Sequence, residues 1–137
     1  MRTIRFRGKR LGDGTWCFGD LLSGICDDLH IQNIKDGNSG YRGPIEVDKE
    51  TVGQFTGLPD ITGKDVYESD LWERNGFIGV IMFRFSEWQI QYTPSSDSIQ
   101  YPSFYSNIGT GKVIGNIYDN PELLLDSTAP EISQKNP

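Results

Sequence analysis

The chain has 137 residues, 36% of them hydrophobic and 12% aromatic, with a net charge of −6. That length fits one domain or two very small lobes, and a domain of this size buries roughly two-thirds of its unfolded surface, enough for a core without crosslinks. No run of about eighteen apolar residues is present, which excludes a membrane-spanning helix; the basic start "MRTIRFRGKR" has no apolar segment behind it, which argues against a secretion signal and for the cytoplasm.

The charge is unevenly spread. Arg2, Arg5, Arg7, Lys9 and Arg10 stand in the first ten residues without an acid, and the remaining eight cations face all nineteen acids, a balance of −11. Such a body repels phosphate backbones. The basic strand is therefore expected to meet acidic surface, on its own chain or on another copy, rather than nucleic acid. Cys17 and Cys26 match no metal-ligand spacing and read as reduced, buried thiols.

In "TIRFRGK", Ile4 and Phe6 share one face and Thr3, Arg5 and Arg7 the other, a half-exposed strand. Asp13-Gly14 signals a hairpin, because type I′ turns need positive φ, and Trp16 to Leu22 reads as the returning strand. Leu29, Ile31 and Asn33 alternate with His30, Gln32 and Ile34 as a weaker strand, and "KDGNSG" is a loop tip. Pro44 precedes a short strand over residues 45–47, and "DKETVGQF" predicts a single helical turn with Asp48 as N-cap. "TGLPDITGKDVYESD", residues 56–70, reads as connected turns built on Gly57, Pro59-Asp60 and Thr62-Gly63-Lys64.

Val66, Tyr67 and Leu71 resume an extended path, and Asn75-Gly76 is the strongest hairpin cue in the chain. "FIGVIMFRF", residues 77–85, is apolar on both faces, as in a strand buried on both sides, with Gly79 marking a bulge. "SEWQIQY" alternates with Trp88, Ile90 and Tyr92 inward. "TPSSDSIQYPSFYSNIGTG" breaks the pattern as a long loop. A last strand runs from about Lys112 to Tyr118, Pro121 opens a short helical turn, and the tail is polar and frayed.

The sum is an all-β fold of seven or eight short strands with one or two short helical turns. The hairpins from Val66 to Tyr92, closed by the strand at 113–118, suit a small SH3-like barrel. This gives a two-lobed β domain over residues 1–125, with an N-terminal lobe at about 1–60, an SH3-like lobe at about 61–125, and a flexible tail at 126–137.

Three blocks of residues resemble the signature of the YopX family of phage and prophage proteins. The central one holds Gln54-Phe55-Thr56-Gly57-Leu58, then Asp60-Ile61-Thr62-Gly63-Lys64, then Tyr67-Glu68-Ser69-Asp70. The others are "RFRGKRLGDGTWCFGDLL" and "VIGNIYDNPELL". The blocks occur in order over residues 2–125. Ser69 departs from the family pattern, which favours Gly there, and a Gly at such a place often marks positive φ or close backbone approach. The resemblance implies a mostly β architecture with an SH3-like portion and a phage or prophage origin in a bacterial cell. It implies no reaction.

No catalytic, cofactor-binding or metal-ligating set stands out. The spacing of Asp60, Asp65, Glu68 and Asp70 is not that of a calcium loop; Asp60 reads as closing an Asx turn, and Asp70 as capping a strand end or meeting a basic residue such as Arg5. Gln54, Thr56, Gly57, Gly63 and Tyr67 belong to the same structural motif. His30 is a single histidine without a nucleophile motif. Tyr101, Phe104 and Tyr105 stand among Ser and Pro, and cap a barrel end or anchor a partner; stacking on single-stranded nucleic acid is a third option, but the loop has no basic residue between Arg84 and Lys112. With Arg5 and Arg7 these aromatics form the candidate interaction surface. A strand apolar on both faces needs covering by a second lobe or subunit. The expected function is therefore a non-enzymatic phage accessory protein that works by protein–protein association, as a homo-oligomer or with a host or phage partner, without cofactor or membrane. The rivals are a nucleic-acid-binding barrel using the N-terminal cations and a small hydrolase using the acids from Asp65 to Asp70.

Overall fold

The computed structural model describes residues 2–24, 27–32, 34–36, 40–92 and 103–126. In chain order the strands are β1 Phe6–Arg10, β2 Trp16–Ser23, β3 Leu29–Gln32, β4 Ile34–Asp36, β5 Gly40–Arg42, β6 Ile45–Pro59, β7 Asp65–Tyr67, β8 Asp70–Arg74, β9 Phe77–Arg84, β10 Glu87–Tyr92 and β11 Lys112–Asn116. Two short helices, α1 Phe104–Asn107 and α2 Glu122–Asp126, and a 3-10 turn at Ile108–Thr110 accompany them. The protein is all-β, as its sequence predicts. The chain divides into two compact units, residues 1–57 and 58–137. No described helix is long and apolar enough to cross a membrane.

In the first unit β1 pairs with β2, β2 with β3, β3 with the start of β6, and β6 again with β1, all antiparallel. These four pairings close a ring of strands, the arrangement by which a small sheet removes its edges. Its interior holds Cys17, Ile31 and Val47, with Phe6, Leu21, Leu29, Ile45 and Val52 packed against them. β4 and β5 form a separate two-stranded ribbon.

Closure of the ring changes three local expectations. β1 starts at Phe6, and Arg7, expected on an exposed face, is buried because both edges of β1 are paired and its guanidinium lies 4.5 Å from the Trp16 ring centroid. The β1–β2 loop carries Asp13-Gly14, but only Gly14 has positive φ (75°). Gly14 N–H donates to the Arg10 carbonyl and Thr15 N–H to Asp13 Oδ1, so the loop is wider than a type I′ turn.

The third change is at residues 48–55, which form no helical turn and lie within β6, a strand far longer than the three residues expected. Arg7 faces Gly53 and Lys9 faces Asp48, so β6 carries extra residues in a bulge. Asp48 Oδ1 accepts from Glu50 N–H at 3.0 Å, Thr51 Oγ1 donates to the Asp48 carbonyl at 2.7 Å, and Lys9 N–H donates to Thr51 Oγ1 at 2.9 Å. The same Asx chemistry serves a helix start and a bulge.

In the second unit β8, β9, β10 and β11 form an antiparallel sheet in the order β10-β9-β8-β11. Its core is Val66, Trp72, Ile81, Ile90, Phe104 and Ile108, with Leu58, Trp88, Tyr92 and Val113 against it. Trp72 is fully buried and its indole N–H donates to the Ile108 carbonyl at 3.0 Å. Asn75-Gly76 makes the expected two-residue turn, both residues at positive φ (54° and 85°), and joins Arg74 to Phe77. α2 follows Pro121 as predicted.

Residues 77–85 are not buried on both sides. Ile81 is buried, Ile78, Val80 and Met82 are half-buried, and Phe77 and Phe83 are exposed at the ends of the strand. Gly79 marks no bulge: register runs unbroken to both neighbours, and a Cβ at Gly79 would sit 2.5 Å from Ile90 Cγ2. Glycine there makes room for the core rather than bending the strand. The stretch from Phe104 is not loop, because α1 and the 3-10 turn place Phe104 and Ile108 in the core. Cys26, Asn33, Tyr101 and residues 127–137 lie outside the described residues.

Candidate functional site

Asp60 directly follows β6, and Pro59 before it fixes an extended approach to the turn. Its Oδ1 accepts from Thr62 N–H (2.8 Å), Thr62 Oγ1 (2.7 Å) and Lys64 N–H (3.0 Å), while its Oδ2 accepts from Val113 N–H (2.7 Å). Gly63 supplies the positive φ (89°) that lets the loop wrap the carboxylate. Burial alone would raise the carboxyl; the hydrogen bonds from Thr62, Val113 and Lys64 outweigh it and hold the pKa below the ordinary value. Four donors converge on the carboxylate, three on Oδ1 and one on Oδ2. That arrangement ties a turn to a strand and leaves a poor general base.

The next turn has the same logic. Asp70 is buried at the start of β8 and its Oδ2 accepts from Tyr67 N–H at 2.8 Å. Between them Ser69 sits at φ 74°, in the left-handed region where the family pattern has glycine. Its N–H donates to the Ile81 carbonyl at 2.7 Å and its carbonyl accepts from Ile117 N–H at 3.1 Å, so both backbone groups lock its position.

The closing block "GNIYDN" folds into a knot around Asn116. Asn116 Oδ1 accepts from Tyr118 N–H (3.0 Å) and Asp119 N–H (2.9 Å), and its Nδ2 donates to Asp119 Oδ2 (3.1 Å). Asn116 N–H donates to Asn120 Oδ1 (3.2 Å), and Asn120 N–H donates back to the Asn116 carbonyl (2.9 Å).

The acids do not converge. Asp65 is exposed, Glu68 half-buried, and Asp60 and Asp70 are each turned onto backbone. Among the described residues no group of three or more His, Cys, Asp and Glu side chains is placed to hold a metal ion. His30 is half-buried on β3, opposite Leu22 and Glu46. Gln54 and Thr56 are half-buried in β6, Gly57 has φ 93°, and Tyr67 is buried.

Of the candidate interaction residues that the structure describes, Arg5 and Arg7 belong to the first unit and Phe104 and Tyr105 to the second. The Arg5 guanidinium lies 4.9 Å from the Phe55 ring centroid, and Arg7 and Lys9 lie 4.5 and 5.5 Å from that of Trp16. These three cations thus rest on aromatic rings of their own chain. Phe104 is buried against Trp88, ring centroids 6.3 Å apart, which removes it from the expected surface. Its neighbour Tyr105 is 80% exposed.

A surface the sequence reading missed lies at the β9–β10 turn. Phe83, Arg84, Phe85, Ser86 and Glu87 are consecutive exposed residues. Phe83 is 51% exposed and packs edge-on against Trp88 at 5.1 Å between centroids; Phe85 is 81% exposed with the Arg84 guanidinium 5.2 Å from its centroid. The apolar run hid this end, because alternation alone does not say where a strand leaves the core.

A family model described as "YopX protein" matches residues 5–125. The chain belongs to the YopX family. The resemblance carried by its three sequence blocks is thereby borne out, and in the structure the central block holds the Asp60 and Asp70 turns and the closing block the Asn116 turn. Among solved structures this YopX-family chain is similar to the crystal structure of protein EF1440 from Enterococcus faecalis, with a TM-score of 0.54 and 18% identity, over 90% of this chain and 99% of that one. At that identity the likeness is one of fold. No curated protein matches the chain.

Proposed function

We propose that this YopX-family chain is a phage or prophage accessory protein that works by protein–protein association in the bacterial cytoplasm, without catalysis, and that it associates with itself. The observation that carries this reading is that the second unit exposes four aromatic side chains. Phe77, Phe83, Phe85 and Tyr105 each leave half or more of their surface in solvent. Aromatic side chains are enriched at the centres of interfaces, where they bury large area at low entropic cost. The turn carboxylates support the same reading, since Asp60 and Asp70 serve backbone N–H groups.

Light scattering on the full chain at tens of micromolar tests the self-association. A mass above that of one chain, rising with concentration, is expected; a single-chain mass throughout would remove the homo-oligomer.

A further inference from the structure

The sheet of the second unit contains two turns of the same length and opposite chemistry. Asn75-Gly76 joins β8 to β9, and Phe85-Ser86 joins β9 to β10, each closing a register pair, Arg74–Phe77 and Arg84–Glu87. All four turn residues have positive φ: 54° and 85° in the first turn, 53° and 63° in the second. Asn-Gly is the residue pair that adopts this geometry at least cost. Phe-Ser is a poor one, since a bulky side chain in the left-handed region is strained. Phe85 recovers little of that cost by burial, because 81% of it is exposed. The fold itself would accept Asn-Gly at 85–86, as it does at 75–76.

We propose that the Phe85-Ser86 turn is the self-association contact, with Phe85 as its anchor and the same turn of a second copy as its occupant. The reading rests on the homo-oligomer proposed above and gives it a place. A two-fold contact uses one patch against itself, so a patch that carries both signs of charge can pair each with its opposite on the other copy. This one carries both: Arg84 and Glu87 face each other across the turn and both are exposed. Two turns brought together about a two-fold axis stack Phe85 on its counterpart, set Arg84 beside the other copy's Glu87, and cover Phe83. The β9–β10 pairing holds the turn on both sides before contact, so little loop entropy is lost on association. A patch of five residues is small beside the roughly 800 Å² per partner of a stable interface, which places the association in the weak, concentration-dependent class.

The test compares wild type, Ser86→Gly, and the double substitution Phe85→Asn with Ser86→Gly, each followed by sedimentation velocity up to hundreds of micromolar and by thermal melting at low concentration. Ser86→Gly relaxes one strained residue and keeps the anchor; its melting temperature rises and its association stays within twofold of wild type. The double substitution relaxes the turn fully and removes the anchor; its melting temperature rises further while its dissociation constant increases tenfold or more. That opposition of sign is what a structural role alone would not produce. Association of the double variant equal to wild type overturns the contact and leaves the homo-oligomer standing. A wild type that is monomeric throughout removes both.

Discussion

Val113 N–H donates to Asp60 Oδ2 across 2.7 Å, joining β11 to a turn 53 residues earlier in the chain. The other oxygen of the same carboxylate holds the turn itself. Asp60→Asn replaces one acceptor by a donor facing an N–H, and a buried N–H left without a partner costs about 1–3 kcal/mol. Urea unfolding should show a loss of that size. The pH dependence follows from the same bonds. The folded carboxyl titrates below its unfolded value of about 3.9, so its contribution is fully present above that pH and is lost as the pH falls through the lower folded value. The stability gap between wild type and Asp60→Asn should be constant above about pH 5 and close progressively below pH 4.

Asp70 separates a structural from a catalytic role. If its work is to hold Tyr67 N–H, Asp70→Asn should lower stability by about 1–2 kcal/mol. A variant as stable as wild type would contradict the capping role and reopen the hydrolase reading.

Ser69 at φ 74° gives a prediction of opposite sign. Glycine enters the left-handed region without the Cβ penalty of about 1–2 kcal/mol, against which it loses more entropy on folding. Ser69→Gly should therefore stabilise the protein by about 1 kcal/mol, read as an upward shift of the melting temperature. A fall would mean that the Ser69 side chain contributes more than the backbone strain costs.

Gly111 tests the core. A Cβ there would sit 2.5 Å from both Trp72 Cζ2 and the Glu73 carbonyl oxygen. Trp72 cannot swing away, because it is fully buried and its indole N–H is bonded to Ile108. Gly111→Ala should cost about 1–3 kcal/mol, the range for overpacking a close-packed site, with near-ultraviolet circular dichroism reporting the displaced indole.

The sequence made visible what local chemistry decides. Asn75-Gly76, the Asx turn at Asp60, the short helix after Pro121 and the all-β class follow from residue types at short spacing. What it hid is set by distant partners. Arg7 reads as exposed until β2 and β6 pair on both sides of it; Asp48 reads as a helix cap until β1 draws its segment into a bulged strand. Phe104 and Tyr105 are adjacent and look alike as letters, yet α1 buries one and exposes the other. Phe85-Ser86 carries no turn signal, because its conformation is imposed by the β9–β10 register rather than chosen by its residues.

Amide hydrogen exchange across a concentration series reaches the central claim most directly, because one sheet supplies both probe and control. Self-association through the β9–β10 turn predicts that the Phe85 and Ser86 amides become more protected as concentration rises from micromolar to hundreds of micromolar, while Asn75 and Gly76, at the other end of β9, do not change. Protection at Phe85 and Ser86 that is independent of concentration would contradict it.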